Sequence, residues 1–256
     1  MALSIVKLGG SVLTDKRTGS SELREQLLRE IARLLRDHVR DQLILIHGGG
    51  TEVHRTALEG RVHLGRGGGT PEGLVKTALV VRRLNQRITE LLVDEGIPAF
   101  SIPASTIFRT SGGKIRSANL EPFLSGLEEG LVPVTMGDVV FDRELGYTVL
   151  SGDSIAVYLA VKLRAKKIVH ATDVDGVLIR DREGSTRVAE VLDYEGHKRV
   201  QYAGVNDATG GMATKVEEAF EAVASGVEVL IVNGLHPERV VHALLSYPVL
   251  GTRLVR

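Results

Sequence analysis

The sequence predicts an α/β protein, a three-layer αβα sandwich around a mostly parallel open sheet. Three observations lead there. Strand and helix signals alternate along nearly the whole chain. The first of them form a strand–helix–strand run, the crossover unit that parallel neighbours require. With 256 residues, 43% hydrophobic and 25% charged, the chain is long enough to bury one large core or two modest ones.

Leu3 to Leu8 reads as a buried strand, followed by Gly9, Gly10 and a polar loop to about Ser20. A helix is expected from Ser21, because Leu23, Leu27, Ile31, Leu34 and Leu35 recur on one face, and a strand follows at Leu43 to Ile46. Gly48, Gly49 and Gly50 close that strand, and a short helix starts near Thr51. Residues 60–69 hold five glycines and little apolar content, which predicts a mobile surface loop. Pro71 suits the first turn of a long helix carrying Leu74, Ala78, Val81, Ile88 and Leu92, ended by Gly96 and Pro98 before a strand at Ala99 to Ile102. A turn at Gly112 and Gly113, a helix at Leu120 to Leu127 and a strand at Val132 to Thr135 come next. Val139 to Phe141 and Tyr147 to Leu150 form a hairpin around Gly146 that interrupts the parallel pattern. Alternation then resumes: a helix at Ser154 to Leu163, a strand at Lys167 to Ala171, the loop TDVDG, and a short strand at Val177 to Ile179. After a polar stretch, NDATGG opens a helix with the stripe Met212, Val216, Ala219, Phe220 and Val223; a strand at Val227 to Val232 and a helix after Pro237 complete the reading. The expected organisation is one domain, 1–256, of two lobes that meet at about residue 155.

Composition excludes several classes. Thirty-two basic and 32 acidic residues leave no broad positive field, so neither nucleic acid nor an anionic membrane is an expected partner, while a small anionic ligand is allowed. The longest apolar run, Ile155 to Val161, falls far short of a membrane span, and LSIVKL enters a strand without a signal-peptide pattern, so the expected compartment is the cytoplasm. There is no cysteine, hence no disulfide or thiolate chemistry. GxxxxGK followed by Ser or Thr, GxGxxG, HExxH, GxSxG and the protein-kinase signatures are all missing. His47, His54 and His63 have no ligand spacing, and no metal site is expected.

Three glycine-rich segments remain, each at a strand end or a helix start. In KLGGS, Gly9 and Gly10 let the backbone approach a ligand while Lys7 adds a point charge; Lys16 lies on the following loop. In HGGGTEVH, Gly49 and Gly50 precede a helix whose unpaired amides and dipole favour an anion, with His54 about one turn in; His47 reads as structural. In NDATGGMATK, Lys215 follows Gly210 and Gly211 into a helix, where an unpartnered cation opposes the dipole. Strand carboxyl ends of an open sheet form its ligand crevice, so the segments should converge. Two anion cradles and three lysines fit phosphoryl transfer to a second anionic group, one that needs no general base. Asp153 in SGDS either caps its helix or orients Lys7 and Lys215, and TDVDG reads as a nucleotide-side loop or as an ordinary turn.

KLGGSVLTDK, HGGG with His54, GLVPVTMGDVVFD followed by LSGDSIAVYLA, TDVDGV and DATGGMATK together resemble the amino acid kinase superfamily, and within it the isopentenyl phosphate kinases, over nearly the full chain. The resemblance implies the amino acid kinase fold, ATP and Mg2+ as cofactors, and transfer of the γ-phosphate to isopentenyl phosphate. It implies ATP contacts from Lys7, Gly9, Gly10, Ser11, Gly50, Asp173, Gly211 and Lys215, and acceptor contacts from Gly49, His54 and Gly152. Catalysis would rest on Lys7, Lys16, His54, Asp153 and Lys215, with residues to about 155 holding the acceptor, those from about 156 holding ATP, and two chains forming a homodimer. One departure stands out. The family usually reads HGGGSFGH, and Thr51, Glu52 and Val53 replace its Ser, Phe and Gly. That keeps a fosfomycin kinase-like activity open, and a nucleotide-binding relative without catalysis is the reading from another class.

Overall fold

The computed structural model describes residues 2–15, 18–181, 183–203 and 211–256. In the first half, β1 (Leu3–Leu8), α1 (Gly10–Leu13), α2 (Glu25–His38), β2 (Gln42–His47), α3 (Gly50–Glu59), a 3-10 helix (Val62–Gly67), α4 (Pro71–Asp94), β3 (Ala99–Ser101) and α5 (Ala104–Ile107) follow one another. Next come β4 (Phe108–Ser111), β5 (Lys114–Ala118), α6 (Glu121–Glu128), β6 (Val132–Met136), β7 (Asp138–Asp142) and β8 (Gly146–Leu150). The second half runs α7 (Gly152–Lys162), β9 (Lys167–Thr172), β10 (Leu178–Arg180), β11 (Thr186–Val188), β12 (Val191–Asp193), α8 (Tyr194–Arg199), β13 (Gln201–Tyr202), α9 (Gly211–Ala224), β14 (Glu228–Asn233), α10 (Pro237–Leu245) and β15 (Gly251–Val255).

Among the described residues eight strands form the main sheet, in the order β12-β15-β14-β9-β1-β2-β6-β3. It is parallel from β14 across to β3, and β15 pairs antiparallel with β14. The strands before residue 155 occupy one side of β1 and those after it the other. Alternating residues serve two cores. Leu3 and Ile5 of β1, with Ile44, Ile46, Ile168 and Ile231, pack under α7 and α9. Val6 and Leu8, with Leu45, Val169 and Val232, pack under α2, α4 and α10. Helices on both faces explain why the strands read as apolar runs.

Three expectations are corrected. Helix α2 begins at Glu25, four residues later than its apolar spacing predicts, because Arg24 is tied back to α1: its guanidinium donates to Ser11 O at 2.6 Å and its amide to Leu13 O at 2.8 Å. Residues 60–69 are ordered rather than a mobile loop. Val62 is fully buried against Ala78, Val139 and Tyr147, and Arg66 N donates to Leu145 O at 2.7 Å. The central hairpin lies outside the main sheet; β7 and β8 join β4 and β5 in a separate four-stranded sheet, with Gly112 and Gly113 at a turn as expected.

Candidate active site

The connection after β1 leads to one side of the sheet and the connection after β9 to the other, so the topological switch point lies between these adjacent strands. Both glycine loops meet there. Gly9 N donates to Ala171 O at 2.8 Å, and Gly48 N donates to Leu8 O at 2.9 Å. A Cβ on Gly48 would stand 2.7 Å from Gly10 N, and one on Gly9 would stand 2.9 Å from Ala171 O. Only glycine permits the loops to pack backbone against backbone. Thr14 clasps them: its Oγ1 accepts from Thr51 N at 2.9 Å and lies 2.9 Å from Thr51 Oγ1. Gly50, at φ +65, turns the chain into α3, whose first turn presents the positive end of the helix dipole. His54 lies four residues after Gly50 on α3, half-buried and on the same side.

The unfamiliar spacer is absorbed without disturbing this corner. Thr51 joins the Thr14 clasp, Glu52 faces solvent, and Val53 packs onto Gly49, where an added Cβ would lie 2.6 Å from Val53 Cγ1. Val53 belongs to a small apolar cluster with Val81 and Met136, beside the one formed by Val62, Ala78, Val139 and Tyr147 with Leu74 against it.

Electrostatics concentrate one step below the loops. Lys7 occupies the inward-facing position that follows Ile5 on β1, in register with Ile46 on β2 and His170 on β9. A lysine in an apolar row needs a partner, and Asp153 of α7 supplies it. Lys7 Nζ lies 2.8 Å from Asp153 Oδ1, and Lys215 Nζ of α9 donates to Oδ2 at 2.6 Å. Burial, only partly offset by Asp153, brings Lys7 down to about 8. The two lysines hold Asp153 well below the usual carboxylate range against the opposing effect of burial. Asp153 does not cap its helix, because Ser151 does so, its Oγ accepting from Asp153 N at 3.0 Å. Gly152 lies against Lys7; a Cβ there would meet Lys7 Cε at 3.4 Å and, more tightly, His47 O at 3.3 Å.

The structure thus gathers Lys7, Gly9, Gly10, Gly49, Gly50, Gly152 and Asp153 at the switch point, with Ser11 in α1 and Lys215 reaching in from α9. Gly211 starts α9, and Lys16, like Gly210, lies outside the described residues. TDVDG divides. Asp173 stands half-exposed just past β9, while Asp175 is structural, its Oδ1 accepting from Asn233 at 3.0 Å and Arg239 at 2.5 Å, contacts that lower its pKa in that order. His47 is structural, as expected. It is buried, hydrogen-bonded to Asn85 at 3.0 Å, and lowered by burial to about 4.

Sequence reasoning missed Thr14, Glu218 and His170. Glu218 takes a 2.9 Å hydrogen bond from Ser154 Oγ, and burial raises its pKa; it lies three residues after Lys215 on α9. His170 is fully buried, with Nδ1 3.2 Å from Asp153 Oδ1. The signal for it was present: it is the one charged or titratable residue between Ile168 and Thr172, at the strand position that faces α7. Chemically, one buried and one largely buried ammonium group around one carboxylate, beside the two glycine loops, form a site able to neutralise clustered anionic oxygens.

The family model of the amino acid kinase family matches residues 2–233. Isopentenyl phosphate kinase of Methanothermobacter thermautotrophicus is 34% identical over 265 residues, covering 98% of each chain. That of Methanocaldococcus jannaschii is 34% identical over 264 residues, covering 95% of each. A solved isopentenyl phosphate kinase structure superposes with a TM-score of 0.84 at 32% identity, covering 99% of this chain and 100% of the other.

Proposed function

As this chain belongs to the amino acid kinase family, we propose that it transfers the γ-phosphate of ATP to the phosphate of isopentenyl phosphate, releasing ADP and isopentenyl diphosphate. The observation that carries this reading is the largely buried Lys7–Asp153–Lys215 cluster beside two packed glycine loops. An acceptor phosphate oxygen is already anionic near neutral pH, so attack on the γ-phosphorus needs no side-chain base, and positioning with charge neutralisation supplies the catalysis.

In this reading Lys7, Gly9, Gly10, Ser11, Gly50, Asp173, Gly211 and Lys215 hold ATP, Gly49, His54 and Gly152 hold the acceptor phosphate, and Lys16 stabilises the transferring group. Residues to about 155 then form the acceptor lobe and those from about 156 the ATP lobe. The prenyl tail is assigned to the apolar residues beside Val53, among them Leu74, Ala78 and Val81 of the predicted stripe, which cluster apart from the two large cores. Among the described residues no group of three or more histidine or acidic side chains could hold a metal ion. In this reading magnesium enters with ATP as its complex. The likeness to isopentenyl phosphate kinases is also the support for a homodimer, and among the described residues no helix is long and apolar enough to cross a membrane.

The test is ADP release by the pure protein with Mg-ATP and isopentenyl phosphate, fosfomycin or acetylglutamate in turn. Turnover with isopentenyl phosphate is expected. Turnover with fosfomycin alone would move the assignment to that acceptor, and none with any acceptor would leave a nucleotide-binding protein.

A further inference from the structure

Among the described residues three groups contact the Asp153 carboxylate, and His170 is the one the proposed function does not use. It lies on β9 in register with Lys7 of β1 and Ile231 of β14, so its imidazole takes a place in the buried row under α7. Nδ1 stands 3.2 Å from Asp153 Oδ1, off the direction of a good hydrogen bond, and Nε2 has no hydrogen-bond partner among the described residues. Burial keeps the ring neutral, and the nearby carboxylate places its single proton on Nδ1. A buried imidazole with neither nitrogen in a well-aligned hydrogen bond is a costly occupant of a row in which isoleucine fills other positions, and packing alone gives no reason for it.

Lys7 and Lys215 hold Asp153, and both are the cations assigned to the nucleotide. An ammonium drawn toward a phosphate loosens its grip on the carboxylate. His170 cannot follow, because it is closed off from solvent. We propose that His170 is a positioning residue whose Nδ1–H keeps the Asp153 carboxylate in place while Lys7 and Lys215 shift their contacts to the transferring phosphate. This rests on the phosphoryl-transfer reading given above.

Initial rates and thermal unfolding of wild type, His170→Leu and His170→Asn test it. Leucine fills the row but removes the donor. Its melting temperature should be no lower than wild type, its kcat lower by roughly tenfold, and both KM values within about twofold. Asparagine can donate from near the Nδ1 position and should recover kcat to within about threefold of wild type. Wild-type kcat in the leucine variant, equal losses in both variants, or a kcat loss that follows a lowered melting temperature overturns the proposal. If the wild type works only on another acceptor, the acceptor assignment fails and the same comparison on that acceptor still decides the role of His170. If it releases ADP with none, both fail.

Discussion

Glu95, just past the end of α4, and Asp153, near the start of α7, are each held by two cations, yet the two clusters have opposite uses. Glu95 receives Arg29 at 2.8 Å and Arg33 Nε at 2.7 Å, and its own carbonyl accepts from Arg36 at 2.9 Å. These arginines sit on α2 and clamp it to the end of α4. Their forked guanidinium groups match a carboxylate and never deprotonate. The Asp153 cluster uses lysines, compact point charges with freely turning donors, and buries them: the Lys7 side chain is 7% exposed where that of Arg33 is 46%. Under the proposed function the same charge pattern is a staple at the surface and an instrument in the crevice. Cation type and burial make the difference.

The sharpest way to break this contrast is to remove Lys7. Lys7→Ala should lower kcat by roughly 10²–10³-fold while the chain stays folded, measured by initial rates beside circular dichroism; a loss below about tenfold would mean that Lys7 is a staple too. Wild-type kcat/KM should fall above about pH 8, where Lys7 loses its charge. Stability should move the other way. Between about pH 8 and the ordinary lysine value of 10.5 the unfolded chain binds the extra proton, so the Lys7 contribution to folding becomes more favourable as pH rises.

Asp153→Asn comes next. It leaves one buried and one largely buried ammonium group with a neutral amide, which should cost up to about 3–5 kcal/mol in urea unfolding. It should also move the alkaline limb of kcat/KM to lower pH, because Asp153 is what raises Lys7 against its burial. An unmoved limb would detach Lys7 from the rate.

The smallest effect belongs to Glu95→Gln, which should leave kcat unchanged within about twofold and flatten the acid limb of stability. Hydrogen bonds from Arg33 and then Arg29 lower Glu95 to about 2. The stability it contributes is present above its ordinary value of 4.5 and is lost as pH falls toward 2. A wild-type acid limb surviving in this variant, read by thermal unfolding from pH 6 to 2, would assign that limb to other groups. His47 is one: it is neutral in the fold, so its contribution falls between pH 6.5 and about 4.

Much of the site was legible because glycine loops and strand ends are local features. Lys7, Gly9, Gly10, Gly49, Gly50, Asp153 and Lys215 were each marked by a neighbouring glycine at a strand end or helix start. Asp153 could be read as a cap or as an ion-pair partner, and only the position of Ser151 chose between them. His170 was hidden by register, since the pairing of β9 with β1 that sets it beside Lys7 is written nowhere in the spacing of either strand. Residues 60–69 misled because glycine content signals flexibility only where nothing packs on the segment, and Val62 is buried in a contact with distant strands.

Periodicity, turn chemistry and composition by themselves determined the alternating elements, the buried parallel sheet and the glycine loops at the strand ends, because each follows from the properties of residues close together in the chain. Tertiary structure alone decided which charges share a carboxylate, which half of TDVDG is structural, and which buried imidazole stands against Asp153. Those depend on strand order and register, which bring remote segments within hydrogen-bonding distance and remove them from water together.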